Sequence, residues 1–380
     1  MAPQDGDYQL LRQGYARYQQ IAAAGGWPTV AAGPTLRRGA ASTPARLDGL
    51  RARLQAEGYL ADSGATSGHT AGAPPSPVAP PVASGSRYDA ALAGAVARFQ
   101  KRHGFAPDSV LREATVRALN VPAAYRAKQM AANLERHRWL PRALGMRYIY
   151  VNVPSFRLDA YDGGQQVLTM RVVVGDEFED RATPAFSDSL ETVVFRPYWN
   201  ITDDIAAKET WPKIRADPDY MSRNDMETFA DGGTTRLRQR PGDKNSLGLV
   251  KFLFPNSHNI YLHDTPDKSL FAKADRAASH GCIRLQHPDQ LAQLVLGWSA
   301  DSVQHSMHLG PDNRAVRLPA KIPVYIVYFT AYGRDGQLHF ADDLYGRDDA
   351  LEQRLAGAAD RAALAGRAAA PTSASPTPGR

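Results

Sequence analysis

The chain has a single cysteine, Cys282, in 380 residues. An internal disulfide is therefore excluded, and cysteine pairing says nothing about the redox compartment. Long apolar runs are missing, so nothing in the sequence is suited to cross a bilayer as a helix. A dense Lys/Arg block is missing too, and the net charge of +6 with a pI near 9.3 reads as an Arg-rich solvated surface, not a nucleic-acid footprint. Met1 is followed by Ala-Pro-Gln-Asp-Gly-Asp, without the basic and apolar regions of a signal peptide. Two readings stay open there: a cytoplasmic chain, or numbering that begins after a removed targeting segment. What remains is a globular composition, 43% apolar and 22% charged, long enough for two or three domains.

The lone cysteine does not sit in an apolar run, as a structural cysteine usually does. It lies in a polar turn, Ser279-His280-Gly281-Cys282-Ile283-Arg284. Such an electropositive, backbone-exposed setting is expected to lower a thiol pKa and make a nucleophile. Nineteen positions earlier, the alternating stretch Ile260-Tyr261-Leu262-His263 ends at a histidine that could act as its base. Backbone N–H groups of the Gly281–Cys282 turn would stabilise an oxyanion, with Gly281 allowing close approach. Arg284 could hold a carboxylate or form an ion pair that supports the loop. Ser279 and His280 could orient the turn, although a histidine there is often a hydrogen-bonded spacer. Tyr261 shares a strand face with His263 and could border the cleft or pack in the core. A metal site built from His258, His263, His280, His287 and Cys282 is a weaker alternative, since His-Glu-x-x-His and a close cysteine pair are both missing.

His263, fifteen intervening residues and Ser279-His280-Gly281-Cys282 resemble the signature of the YkuD-type L,D-transpeptidases of bacterial cell-wall synthesis. The longer run through Lys251-Phe252, Phe254-Pro255-Asn256, His263-Asp264-Thr265-Pro266, Leu270-Phe271, Arg276-Ala277 and Arg284 resembles the YcbB-like subgroup, which carries a peptidoglycan-binding domain and a lid. The resemblance implies that Cys282 attacks the bond between the third and fourth residues of a peptidoglycan stem and releases D-Ala. The thioester would then pass to the side-chain amine of another stem, giving a 3→3 cross-link, or to water, making an L,D-carboxypeptidase. It implies stem peptides as donor and acceptor, carbapenems as covalent inhibitors, wall synthases as potential partners, no cofactor, and a periplasmic location. A non-catalytic wall-binding protein is the remaining alternative.

The expected architecture is α+β. Residues 1–44 form a helical scaffold segment, and 45–122 a three-helix bundle interrupted by a mobile Ala/Gly/Ser/Pro insertion at 61–87. The pattern Ala95-Val96, Phe99-Gln100, Arg102-His103-Gly104 and Thr115, Ala118-Leu119-Asn120 resembles the common peptidoglycan-binding module. Its usual Asp-Gly-x-x-Gly turn is replaced by Asp108-Ser109-Val110-Leu111-Arg112, and a purely structural bundle fits equally well. Residues 123–145 are a helical connector. From 146 to 350 the period changes to two, with the patterning of a β-sandwich-like catalytic domain. A segment at 200–246 interrupts it, with a few apolar residues suited to a small helical subdomain and placed where the resemblance puts the lid. Tyr198, Trp199 and Asn200 precede it as a candidate aromatic wall beside substrate, or as packing at a strand exit. Residues 351–380 are expected to be a disordered tail, helical in part at its start.

Overall fold

A computed structural model describes residues 3, 5–60, 86–178 and 181–368. It divides into two compact units, one built from 1–139 with 330–380, the other from Leu140–Phe329. Among the described residues no helix is long and apolar enough to cross a membrane.

In the first unit, helix α1 (Gly6–Ala23) starts where Asp5 accepts the Tyr8 N–H, and it buries Tyr8, Leu11 and Tyr18 at helical spacing. Pro44 opens α2 (Pro44–Ala56), and Asp89 caps α3 (Ala90–Arg102) through the Leu92 N–H. With α4 (Glu113–Leu119), these helices close over Leu47, Leu50, Leu54, Leu92, Val96, Phe99 and Leu119. The glycine-free turn survives because Ser109 takes φ +58° while side chains hold it. Asp108 accepts the Val110 N–H, and Gln100 accepts the Ser109 N–H. Helix α5 (Ala123–His137) packs with α1 through Ala127, Met130 and Leu134. The expected insertion at 61–87 lies outside the described residues except for Ser86 and Arg87; Ser86 accepts the Ser42 N–H.

One boundary differs from expectation. The strands Ala331–Arg334 and Gln337–Phe340 do not continue the catalytic sheet; they form a separate hairpin whose Ala331, Leu338 and Phe340 join the α1–α5 core. The sheet-rich unit therefore ends at Phe329, not at 350. The tail, expected to be helical in part at its start, begins with the helix Arg347–Ala368, and 369–380 lie outside the described residues.

The second unit is a ring of strands. These are β1 (Tyr148–Asn152), β2 (Arg157–Asp162), β3 (Gln165–Gly175), β4 (Phe186–Phe195), β5 (Trp199–Asn200), β6 (Met226–Asp231), β7 (Thr234–Gln239), β8 (Val250–Leu253), β9 (Leu262–His263), β10 (Ala277–Ser279), β11 (Ile283–Leu285) and β12 (Arg314–Val327). The order β3-β11-β9-β8-β4-β12-β1-β2 closes because β2 also pairs with β3, and β10 adds to β3 in parallel. The sandwich-like expectation is thus corrected to one continuous sheet whose eight-stranded ring closes on itself. Phe252, Leu262, Ile283 and Val193 share one face and are wholly buried.

Strands β5, β7 and β6 form a separate three-stranded sheet in the insertion, with short helices Asp203–Ile205, Trp211–Ala216 and Tyr220–Arg223. The segment is therefore part sheet and not helical throughout. Its strands escape notice in the sequence because their alternation is polar: Arg238 and Arg240 both pair with Glu227. Buried Asn245 closes its neck by donating to the Pro197 and Arg240 carbonyls.

Candidate active site

Register, more than sequence distance, builds the site. Parallel pairing of β11 with β9 sets Ile283 against Leu262 and Arg284 against His263, and the Ile283 N–H donates to the Tyr261 carbonyl at 3.1 Å. Antiparallel pairing of β8 with β9 sets Lys251 against His263. With Val194 on β4 and Val173 on β3, one row therefore crosses five strands: Val194, Lys251, His263, Arg284, Val173. Strand alternation sends this row to the face opposite Leu262 and Ile283. Tyr261 and Cys282 lie one step along that face.

The turn from β10 to β11 is held from inside. The Ser279 hydroxyl donates to the Cys282 carbonyl at 2.5 Å and accepts the Gly281 N–H at 3.3 Å. Gly281 has φ +104°, and a Cβ there would come within 3.1 Å of Ile260 Cδ1, so glycine is required. Thr183, wholly buried, donates to the Gly281 carbonyl and accepts the Gly175 N–H. The expected oxyanion donors are revised accordingly. Gly281 spends its N–H on Ser279, whereas the Cys282 N–H has no partner among the described residues.

Cys282 is partly exposed, and its thiol donates to the Asn259 carbonyl at 3.7 Å. Burial raises its pKa to about 11, although the Tyr261 backbone and hydroxyl and the charges of Arg284 and Lys251 all favour the thiolate. The expectation of a lowered thiol pKa is therefore overturned: the cations are present, but loss of water outweighs them. Burial, reinforced by Arg284 and Lys251, pulls His263 down to about 3. Its Nδ1 faces the Asp264 carbonyl, and the Leu247 carbonyl is a second backbone partner of the ring. Among the described residues no hydrogen bond joins His263 to Cys282; the two stand diagonally across adjacent strands. Buried Asp264 fixes the strand end by accepting the Leu249 and Thr265 N–H groups and pairing with Lys268. It fits because residue 248 is glycine with φ +61°; a Cβ there would lie 2.4 Å from the Asp264 carboxyl.

Of the other expected site residues, Tyr261 and Arg284 are brought to Cys282 and His263. Tyr198, Trp199 and Asn200 lie within the insertion's own structure. Arg238 stacks on Tyr198 at 4.2 Å, Trp199 packs against Ile201, Ala206 and Leu237, and Asn200 is exposed in β5. His280 makes a contact the sequence did not reveal: its Nε2 lies 2.6 Å from Glu209 of the insertion, which Arg181 also reaches at 3.0 Å. Against the effect of burial, these partners hold the Glu209 carboxyl below its ordinary range. Lys251, quoted above only as part of a motif, is the other unforeseen member. Among the described residues no three His, Cys, Asp or Glu side chains are grouped to hold a metal ion.

A closed sheet that presents a cysteine beside a neutral histidine is suited to a thiol nucleophile with a general base. Residues 146–326, from just before β1 to the end of β12, match the family model of the YkuD L,D-transpeptidase catalytic domain. A Haemophilus influenzae protein named as a candidate L,D-transpeptidase is 32% identical over 241 residues, covering 58% of this chain and 48% of that protein. The chain thus spans about half the length of that curated relative. Among solved structures, an L,D-transpeptidase from Xylanimonas cellulosilytica is 15% identical over 78% of this chain and 99% of its own, with a TM-score of 0.26. The catalytic domain of an Enterococcus faecium L,D-transpeptidase acylated by ertapenem is 13% identical over 48% of this chain and 96% of its own, with a TM-score of 0.22. Scores of this size place no individual residue.

Proposed function

We propose that this chain is a peptidoglycan L,D-transpeptidase of the periplasm, working through a Cys282 thioester. The supporting observation is the β9–β11 register, which sets the Cys282 turn alongside the strand that carries His263. The family match at 146–326 supports the reaction class. The Cys282 sulfur attacks the carbonyl of the third stem residue while His263 takes the thiol proton. The Cys282 N–H is the oxyanion donor; such a donor typically contributes about 3 kcal/mol to lowering the barrier. When the C–N bond breaks, His263 returns the proton to the departing D-Ala amine. The side-chain amine of a second stem then attacks the thioester, forms the 3→3 amide and releases the thiol. Tyr261 donates to the sulfur in both half-reactions. Carbapenems would acylate the same thiol. In this reading the insertion at 200–246 acts as the lid, anchored by Glu209 on His280, and the helical bundle at 45–122 engages the wall.

Incubation with disaccharide-tetrapeptide, read by mass spectrometry beside Cys282→Ala, tests the reading. Cross-linked dimers that have lost one D-Ala, absent with the variant, are the expected product. Cys282-dependent tripeptide monomers alone would instead make the protein an L,D-carboxypeptidase.

A further inference from the structure

Lys251 and Arg284 flank His263 in one cross-strand row, and neither charge is matched by a carboxylate of the protein. Both are half-buried. The Arg284 side chain makes no hydrogen bond among the described residues, and its Nε is buried without a partner. Lys251 has no ion pair among them; its Nζ lies 6.0 Å from the Tyr261 ring. The nearest acids are committed or distant. Asp264 is turned to Leu249, Thr265 and Lys268, and Asp267 acts on Arg284 through charge alone. Cations withdrawn from water without partners are costly, and they lower the pKa of the histidine between them. A fold that keeps two of them beside its nucleophile has the form of an unfilled anion site.

We propose that Lys251 is a positioning residue that, together with Arg284, seats the terminal carboxylate of the donor peptide beside Cys282. The inference rests on the transpeptidase reading, in which the donor ends one residue beyond the scissile carbonyl. Arg284 supplies a planar fork and Lys251 a point charge from the other side of His263. The seated carboxylate also offsets the two charges that oppose protonation of His263, so donor binding and base strength rise together.

The test compares tetrapeptide donors ending in a free carboxylate and in a carboxamide, with the full chain, Lys251→Met and Lys251→Arg. Wild type is expected to lose about tenfold or more in kcat/KM on amidation, chiefly through KM. Lys251→Met should show a similar loss on the free donor and little further loss on the amide, and Lys251→Arg should restore most of the preference. In the Cys282→Ala background, calorimetry should show Lys251→Met weakening the free tetrapeptide at least fivefold and leaving the amide unchanged. A Lys251→Met variant that still separates the two donors as wild type does, or weakens both equally, overturns the inference and leaves the transpeptidase reading standing. Wild type inactive on both donors overturns the reading and the inference with it.

Discussion

Cys282 and His263 meet substrate in the protonation states that burial favours, thiol and neutral imidazole. With the thiol near 11 and the imidazole near 3, transfer between them in the free protein is strongly uphill, at about 1.4 kcal/mol per unit. An ion pair is therefore not preformed, and the proton must move as the sulfur attacks. Alkylation of the free protein by iodoacetamide should rise about tenfold per pH unit between about pH 8 and about pH 10, with no plateau below about 10. A plateau near neutrality would show a preformed thiolate and overturn this account. His263 has a second consequence, in stability. The folded protein keeps it neutral well below 6.5, while the unfolded chain takes up a proton near that value. Its contribution is complete above about 6.5 and is lost as pH falls toward about 3. His263→Gln should therefore reduce the fall in urea midpoint between about pH 7 and about pH 5. An unchanged slope would assign acid lability to other groups, such as the buried His103 of the helical unit.

At the scale of elements, the nucleophile turn depends on two contacts that come from distant strands and helices. Thr183 bridges β3 to the Gly281 carbonyl from full burial, so Thr183→Val removes both of these hydroxyl bonds while keeping the shape. The expected loss is about 2 kcal/mol by urea unfolding, with Thr183→Ser close to wild type. Glu209 ties the insertion to the same turn through half-exposed contacts with Arg181 and His280 worth about 1 kcal/mol or less. Glu209→Gln should quicken amide exchange over residues 203–216 by a few-fold and leave β9 and β11 protected; equal exchange in the two proteins would mean that the contact does not hold the segment. These elements mark where the sequence stopped being legible. Cys282, His263, Tyr261 and Arg284 stand in short stretches whose alternation is visible, so their shared face could be read. Lys251 joins them only through β8–β9 register, and Glu209 is a polar residue 71 positions from His280, with no local pattern to single it out. Trp199 was ambiguous because an aromatic at a strand exit looks the same whether it lines a cleft or, as here, packs a small core.

For the whole molecule, the informative error is residues 330–350. Short alternating strands carry no address, so Leu338–Phe340 read as one more strand of the preceding sheet; the ring closes without them, through β2 on β3. Their partners are polar groups on α5 that periodicity does not flag. Asn133 donates to the Thr330 hydroxyl at 2.7 Å and accepts the Thr330 N–H at 3.0 Å. Gln129 donates to the Thr330 and Ala341 carbonyls, Thr330 donates to Asp348, and Arg136 pairs with Asp348. Asn133 and Gln129 are almost wholly buried, so removing the returning segment leaves the Gln129 amide N–H groups without acceptors and leaves Asn133 only its bonds within α5. Each stranded group costs about 1–3 kcal/mol, and loss of Ala331, Leu338 and Phe340 opens the α1–α5 core as well. The sum is comparable to the whole stability of a domain, about 5–15 kcal/mol. A chain ended at Phe329 should therefore keep the melting transition of the sheet unit, whose pairings all lie within Leu140–Phe329, and lose or sharply lower that of the helical unit. Calorimetry with limited proteolysis would resolve the two, with cleavage expected in α1 and α5 and the ring surviving. If both transitions persisted, the segment would be a passenger on the helical unit; if the ring melted first, the boundary would belong nearer 350 after all.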